Sequence, residues 1–178
     1  MTVDEEQSVL LLRVPAAEAA VGEHRRRLDA AAQDGIPAHV TILFPLPAPS
    51  RLREEDEESL RTIFRRTPPF DLAGTSTAWF AQRVLYVALE DDAPVRALTA
   101  EVAAAFPEHP PYAGAVPLAD VVPHLTIGHD APAPQLRAAE AAVRERLPFS
   151  QRIDHAELWA GADGPWRHCR SYPLGGSR

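Results

Sequence analysis

The pattern of apolar positions along this chain switches between a period typical of strands and one typical of helices. Runs of aliphatic and β-branched residues, SVLLLRV (8–14) and HVTILF (39–44), predict strands that end at prolines. Between and after them, apolar residues recur every three or four positions. This spacing predicts one helix that ends near Gly35 and a second, capped by Ser50, that extends to about Arg66.

The second half of the chain follows a similar order. FDLAGTSTAWF (70–80) and RVLYVALE (83–90) predict a pair of strands, and Asp92 would cap the next helix. A proline-rich loop (107–117), a strand HLTIGH (124–129) and a helix around Leu136 follow. FSQRIDHAELWA (149–160) and WRHCRSYPL (166–174) predict final strands joined by the turn GADG. Because no linker separates two domains, we expect a single domain over residues 1–178, made of two similar lobes with a groove between them.

Two of these strands contain the same motif, a histidine followed two positions later by a threonine. The motifs His39–Thr41 and His124–Thr126 start 85 residues apart, at positions 39 and 124, which is close to half the chain. Alternate side chains of a strand point to opposite faces, so the histidine and threonine of each motif share one face. If an approximate two-fold axis relates the halves, the two pairs face each other across the groove.

Two opposed imidazoles suit a reaction that needs a base on one side and an acid on the other. A neutral histidine can remove a proton from water or a hydroxyl, while a protonated one donates a proton to the leaving oxygen. The threonine hydroxyls can donate hydrogen bonds to the non-bridging oxygens of a phosphate. A single motif of this kind is weak evidence, because a lone histidine on a strand is more often structural; two copies favour catalysis.

Other chemistry has less support. His124 and His129 are five positions apart, so on a regular strand they face opposite ways and cannot bind one metal ion together. We therefore expect no metal and no other cofactor. His155 and His168 are expected on a solvent face of the last two strands, and HRRR (24–27) on a solvated helix face. Cys169, the only cysteine, has no nucleophile signature around it.

Composition narrows the classes of protein. The formal net charge is −7, which argues against coating long nucleic acid but not against binding one nucleotide or one strand end. All 18 basic residues are arginines, so mechanisms that need a lysine are excluded. The apolar runs are too short to cross a membrane, and the acidic N-terminus does not resemble a signal peptide. We expect a cytoplasmic protein without a membrane partner.

The two motifs, with LLLRVP before the first, RVLYVALE between them and AELWAG followed by W and YPL at the end, resemble the 2H phosphoesterase superfamily. Within it, the chain is most similar to the bacterial 2′-5′ RNA ligase or RNA 2′,3′-cyclic phosphodiesterase group. The resemblance covers most of the chain. One departure is LFPLPAP after the first motif, where the RNA-processing members have a different run.

The resemblance implies an α+β fold that is bilobal and duplicated, with two antiparallel β-sheets flanked by helices and a central cleft containing both HxT motifs. It implies hydrolysis of 2′,3′-cyclic phosphates to 2′-phosphomonoesters, with reversible 2′-5′ ligation of RNA ends as a related reaction. It makes His39 and His124 the acid/base pair, with the late histidine activating the nucleophile, and Thr41 and Thr126 the phosphate-binding hydroxyls.

Substrate contacts are predicted from side-chain chemistry. Tyr86 and Arg83, with Trp79 and Phe80, could stack a base or hold a phosphate, although core packing is the ordinary role of the aromatic residues. The expected partners are RNA ends or small cyclic nucleotides as substrate, with no obligatory protein partner and a monomeric state. Two alternatives are a nucleotide or RNA-end binding module with little or no turnover, and a structural protein whose two histidines lie far apart.

Overall fold

The computed structural model describes residues 6–162 and 164–175 of the chain. This part forms two four-stranded antiparallel sheets with helices packed on them, which confirms the expected α+β fold. The strands are β1 (Gln7–Arg13), β2 (His39–Pro47), β3 (Phe70–Phe80), β4 (Val84–Leu89), β5 (His124–His129), β6 (Phe149–Ile153), β7 (His155–Gly161) and β8 (Arg167–Pro173).

The α-helices of the described residues lie between these strands and are mostly amphipathic. They are α1 (Glu18–Leu28), α2 (Ala30–Gln33), α3 (Glu54–Arg66), α4 (Ala93–Ala105) and α5 (Ala133–Arg144). No helix of residues 6–162 and 164–175 combines the length and the apolar character needed to span a bilayer.

The strand order is β2-β1-β7-β8 in the first sheet and β5-β4-β3-β6 in the second. In both sheets the strand with the motif is an edge strand, paired with the strand that precedes it in the β1–β2 and β4–β5 units. The chain changes sheets twice: β3 follows the first unit but pairs with β4 in the second sheet, and β7 follows β6 but pairs with β1 in the first sheet.

Helices cover one face of each sheet. Helices α3 and α4 contact the first sheet, and α1 and α5 contact the second. One cluster of buried side chains includes residues of both sheets, among them Leu10, Leu12, Leu85, Val87 and Leu125. The burial of this shared apolar surface is what holds the two motif strands at fixed positions.

Three boundaries differ from the sequence predictions. The first predicted helix is broken at Asp29, whose extended backbone ends α1 and whose side chain accepts a hydrogen bond from the N–H of Ala31 to cap α2. Helix α3 begins at Glu54, and its N-cap position is Arg53, not Ser50; the backbone N–H of Arg53 donates to the side chain of Asp56. Strand β2 continues beyond the first proline to Pro47, because its position at a sheet edge tolerates the missing N–H.

The segment predicted as one strand, FSQRIDHAELWA, forms two strands that belong to different sheets. The chain leaves β6 in the second sheet at Ile153 and enters β7 in the first sheet at His155. The pattern of apolar residues did not indicate this division, because the two strands differ in their pairing partners and these lie elsewhere in the chain: β6 pairs with β3, and β7 pairs with β1 and β8.

Candidate active site

The two motif strands bring the two halves of the site together. Strands β2 and β5 contact each other, and His39 and His124 are their first residues. On each strand the histidine and threonine are half-buried, while the residue between them is fully buried. The prediction that each histidine shares a face with its threonine is therefore confirmed.

Both imidazoles are oriented in the same way. Nδ1 of His39 lies 2.8 Å from the carbonyl oxygen of Pro37, and Nδ1 of His124 lies 2.8 Å from that of Val122. A carbonyl oxygen only accepts, so each Nδ1 carries a proton and donates it. In the neutral ring Nε2 then has a free lone pair, and neither Nε2 has a hydrogen-bond partner among residues 6–162 and 164–175.

The pKa of His39 is lowered from its ordinary value of 6.5 to about 4. Burial is the main cause, because it removes water from the charged ring, and the guanidinium of Arg25 is the next. The hydrogen bond to Pro37 and the carboxylate of Asp29 act in the opposite direction, and the charge of His124 lowers the pKa further. His39 is therefore neutral at neutral pH in the free protein.

The pKa of His124 is also lowered, again mainly by burial. The hydrogen bond to the Val122 carbonyl raises it, the positive charge of His129 lowers it, and Asp29 raises it. Asp29 thus acts on both motif histidines, which shows that one carboxylate lies within electrostatic reach of both rings.

The two motif threonines line one cavity of about 380 Å³ between the sheets. His39 lines this cavity as well, but His124 is not among its lining residues. The ring of His124 packs edge-on against Phe80 and Tyr86, with centroid distances of 4.9 and 5.3 Å. The other lining residues belong to β1, to α2 and its flanks, to β2, to the proline-rich loop, to the end of β5 and to the position before β8. They are Val9, Asp29, Ala31, Asp34, Ile36, Phe44, Tyr112, His129 and Trp166.

Both motif strands contain a bulge directly after the threonine. Adjacent residues of β1 pair with the motif threonine and with Leu43, so Ile42 has no partner of its own on β1. Adjacent residues of β4 pair in the same way with the motif threonine and with Gly128, which leaves Ile127 as the extra residue. A bulge inverts the alternation of side chains for the residues that follow it.

The bulge corrects the prediction for His129. On a regular strand His129 would face away from His124, but after the extra residue it lines the cavity together with His39 and Thr126. Phe44, at the corresponding position five residues after His39, lines the same cavity. Strand alternation alone could not place either side chain, since the bulge is a property of the pairing with β1 and β4.

A buried ion pair lies close enough to His39 to affect its pKa. Arg25 and Asp29 are 2% and 5% exposed, and Nε and Nη2 of Arg25 lie 3.0 and 2.8 Å from Oδ2 of Asp29. Nη1 of Arg25 also donates to the carbonyl oxygen of Ile36. The prediction that HRRR forms a solvated face is therefore wrong for Arg25, whereas Arg26 and Arg27 are exposed.

None of the predicted substrate contacts is among the residues that line the cavity. Tyr86 pairs with Thr126 across the strands, is 8% exposed and stacks on Phe80 at 4.1 Å. Arg83 is exposed and makes a bidentate ion pair with Asp130, at 2.6 and 2.8 Å. Trp79 donates to Glu140 of α5.

The proline-rich loop contributes Tyr112 to the cavity. Tyr112 and Ala113 both adopt left-handed backbone conformations, with φ of 52° and 54°. Such conformations are unfavourable for residues other than glycine and require support from the surrounding structure. The side chain of Tyr112 is half-buried, and burial raises its pKa. The proline-rich loop therefore forms part of the cavity wall.

Polar groups elsewhere in the cleft region are mostly paired. On β7, His155 lies 3.1 Å from the buried carboxylate of Glu157, which also accepts from Trp159. His168 on β8 is exposed and bonds to Ser171. Within residues 6–162 and 164–175, no three His, Cys, Asp or Glu side chains are grouped as ligands for one metal ion.

Comparison with solved structures defines the class of fold. The crystal structure of E. coli LigT complexed with 3′-AMP matches with a TM-score of 0.61 at 18% identity, covering 96% of this chain and 99% of that one. The TT0787 protein of Thermus thermophilus matches with a TM-score of 0.60 at 18% identity, covering 97% and 100%. At these identities the likeness shows the LigT-like fold alone.

Sequence comparison shows the family. The model of the 2′-5′ RNA ligase superfamily matches residues 13–165, so the chain belongs to this family of 2H phosphoesterases, as its motifs predicted. A protein of Geobacillus thermodenitrificans named "Putative phosphoesterase" is 25% identical over 146 residues, which is 79% of this chain and 80% of that protein. Family membership supports phosphoesterase activity.

Proposed function

We propose that the protein is a cyclic phosphodiesterase that opens 2′,3′-cyclic phosphates, on small nucleotides or at RNA ends, by two-histidine acid/base catalysis. The observation that carries the proposal is the matched orientation of His39 and His124. Each ring donates through Nδ1 to a carbonyl oxygen two residues earlier, which leaves Nε2 available for proton transfer.

The proposed reaction has one proton transfer on each side of the phosphorus atom. A neutral Nε2 takes a proton from water, whose oxygen attacks phosphorus, while the bond from phosphorus to O3′ breaks and the other ring donates its proton to O3′. The product is a 2′-phosphomonoester. The resemblance makes His124 the base and His39 the acid. The same step with an RNA 5′-hydroxyl in place of water forms a 2′-5′ linkage, and the proposal includes it.

Thr41 and Thr126 would bind the phosphate, because their hydroxyls line the same cavity and can donate to its non-bridging oxygens. Arg13 supports an anionic substrate as well. It pairs with His39 in the strand register, is exposed, and makes no ion pair with the described residues 6–162 and 164–175. Structures of E. coli LigT with NADP⁺ and with 3′-AMP support a nucleotide as the ligand of this fold.

The pKa values set the pH dependence. Both motif histidines have lowered pKa values in the free protein, yet the reaction needs one protonated ring. The negative charge of a bound phosphodiester favours the protonated form. Because kcat/KM reports the free enzyme, it is expected to be highest on the acid side of neutrality and to fall as the pH rises. The two apparent pKa values belong to the pair of rings.

The test is turnover of 2′,3′-cyclic nucleotides in EDTA, with 2′- and 3′-monophosphate products separated by chromatography. His39→Asn and His124→Asn each keep a donor near the position of Nδ1 and remove Nε2, so each should lower the rate roughly 10²- to 10⁴-fold. His24→Asn, on helix α1, is the matched control and should retain full activity. Full activity in both motif variants would refute the proposal.

A second candidate function is a nucleotide or RNA-end binding module with little turnover. The lowered pKa values of both motif histidines favour it, because the free protein then holds no proton for the leaving group at neutral pH. It predicts saturable binding of a cyclic nucleotide with no product at any pH from about 4.5 to about 8, the range in which histidine titrates.

A further inference from the structure

The cavity extends beyond the motif residues into an aromatic corner that the proposed chemistry does not use. We define this corner by Phe44 and Trp166, which pack with the buried side chains of Val9 and Ile36. The two rings have centroids 6.1 Å apart and planes inclined by 58°, and both are half-buried. All four residues line the same cavity as His39.

The indole ring of Trp166 packs closely against Gly161 on one side. A Cβ atom at residue 161 would lie 2.7 Å from two atoms of the indole ring and 2.8 Å from a third, so only the glycine present there allows the ring to lie against β7. The backbone N–H of Trp166 also donates to the carbonyl oxygen of Asp34 at 2.7 Å. Gly161 supports one side of the indole, and Trp166 also lines the cavity. The indole therefore presents an aromatic surface to the cavity.

The indole N–H of Trp166 differs from those of the other two tryptophans. Trp79 donates to Glu140 at 3.0 Å, and Trp159 donates to Glu157 at 2.7 Å. Nε1 of Trp166 has no acceptor among residues 6–162 and 164–175. A large aromatic side chain at a cavity, supported on one side and with an unused donor, has the properties of a ligand contact.

The two aspartates that line the cavity differ in whether an arginine neutralises them. Asp34 lines it, and its carboxylate has no ion pair within residues 6–162 and 164–175. Asp29 also lines it, but Arg25 neutralises that carboxylate. A phosphate would be repelled by Asp34, whereas the motif hydroxyls can donate hydrogen bonds to its oxygens. A base that presents N–H groups could donate to Asp34.

We infer that the aromatic corner binds the nucleobase of the nucleotide whose phosphate lies at the two motifs. This inference rests on the proposed function and adds the part of the substrate that the motifs do not contact. Stacking on Phe44 or Trp166 suits any base, since every base has a π-face. A volume of about 380 Å³ lies near the lower limit for small-molecule sites, so the cavity accommodates one nucleotide.

The experiment compares two substrates that differ only in the base: adenosine 2′,3′-cyclic phosphate and the 2,3-cyclic phosphate of methyl riboside. Trp166→Ala should lower kcat/KM roughly 5- to 150-fold for the adenosine substrate, the range expected for loss of one base stack. The same substitution should leave kcat/KM for the base-free substrate unchanged. Trp166→Phe should restore most of the loss, and Trp79→Phe, at an indole bonded to Glu140, is the matched control.

Equal loss on both substrates, or no loss on either, would overturn the inference. A thermal unfolding curve for each variant identifies misfolding, and Phe44→Leu, which removes the other ring, provides a second test. If the wild-type protein turns over neither substrate, the proposed function fails, and calorimetric binding of adenosine 2′-monophosphate and of inorganic phosphate decides the inference separately. Tighter binding of the nucleotide that is lost in Trp166→Ala would support it, and equal binding of both would overturn it.

Discussion

The lowered pKa of His39 predicts a measurable dependence of folding stability on pH. In the folded protein the pKa is about 4, whereas the unfolded chain has the ordinary value of 6.5. Below pH 6.5 the unfolded chain therefore binds a proton at residue 39 that the folded protein does not accept until the pH approaches 4. The stabilisation from the neutral ring is complete above the unfolded pKa and is lost as the pH falls through this window.

The magnitude follows from the two pKa values. A drop from 6.5 to about 4 corresponds to about 3 kcal/mol when the whole window has been crossed. At about pH 5, where the unfolded ring is almost fully protonated and the folded ring is not, the loss is about 2 kcal/mol. This is a large part of the stability of a typical domain.

The assay is urea unfolding of the wild type and of His39→Asn between about pH 7.5 and about pH 4.5. Asparagine cannot titrate, and its amide can replace the hydrogen bond to the Pro37 carbonyl. The difference in unfolding free energy between the two proteins cancels the groups that they share. We expect this difference to change by about 2 kcal/mol in favour of the variant by about pH 5.

The exposed His168 provides a matched control, since His168→Asn removes an imidazole outside the cavity lining. Parallel stability curves for the wild type and His39→Asn across the whole pH range would refute the reasoning. So would an NMR titration in which the ring protons of His39 shift near pH 6.5, the ordinary value.

Three further predictions concern the groups around the motifs. Asp29→Asn leaves the Arg25 guanidinium buried without its carboxylate and should cost about 3–5 kcal/mol in urea unfolding; the double variant with Arg25→Met should recover most of this loss, and a stability equal to wild type in the single variant would contradict the argument. His129→Gln should raise the pKa of His124 in an NMR titration, because a positive charge is removed; an unchanged titration would show that the two rings are not coupled. Gly128→Ala should lower the thermal midpoint at a cost of about 1–3 kcal/mol, because its Cβ would lie 2.6 Å from a side-chain carbon of α5; an unchanged midpoint would contradict the tight packing.

Much of the fold could be predicted from local patterns. The positions of the strands and helices follow from apolar periodicity and from prolines, and these are properties of neighbouring residues. The predicted boundaries were wrong where a single polar residue ends an element inside an otherwise continuous pattern. Asp29 breaks the first helix while it pairs with Arg25, and Asp154 separates two strands that belong to different sheets.

The sequence by itself determined that each motif histidine shares a strand face with its threonine, because alternation over two positions is a local property of any strand. It also excluded lysine chemistry. Only the tertiary structure decided which further side chains reach the cavity. The bulges that turn Phe44 and His129 inward depend on the register with neighbouring strands, and Trp166 depends on the glycine beneath it. Register and packing join residues that are distant in the chain, so no local pattern contains them.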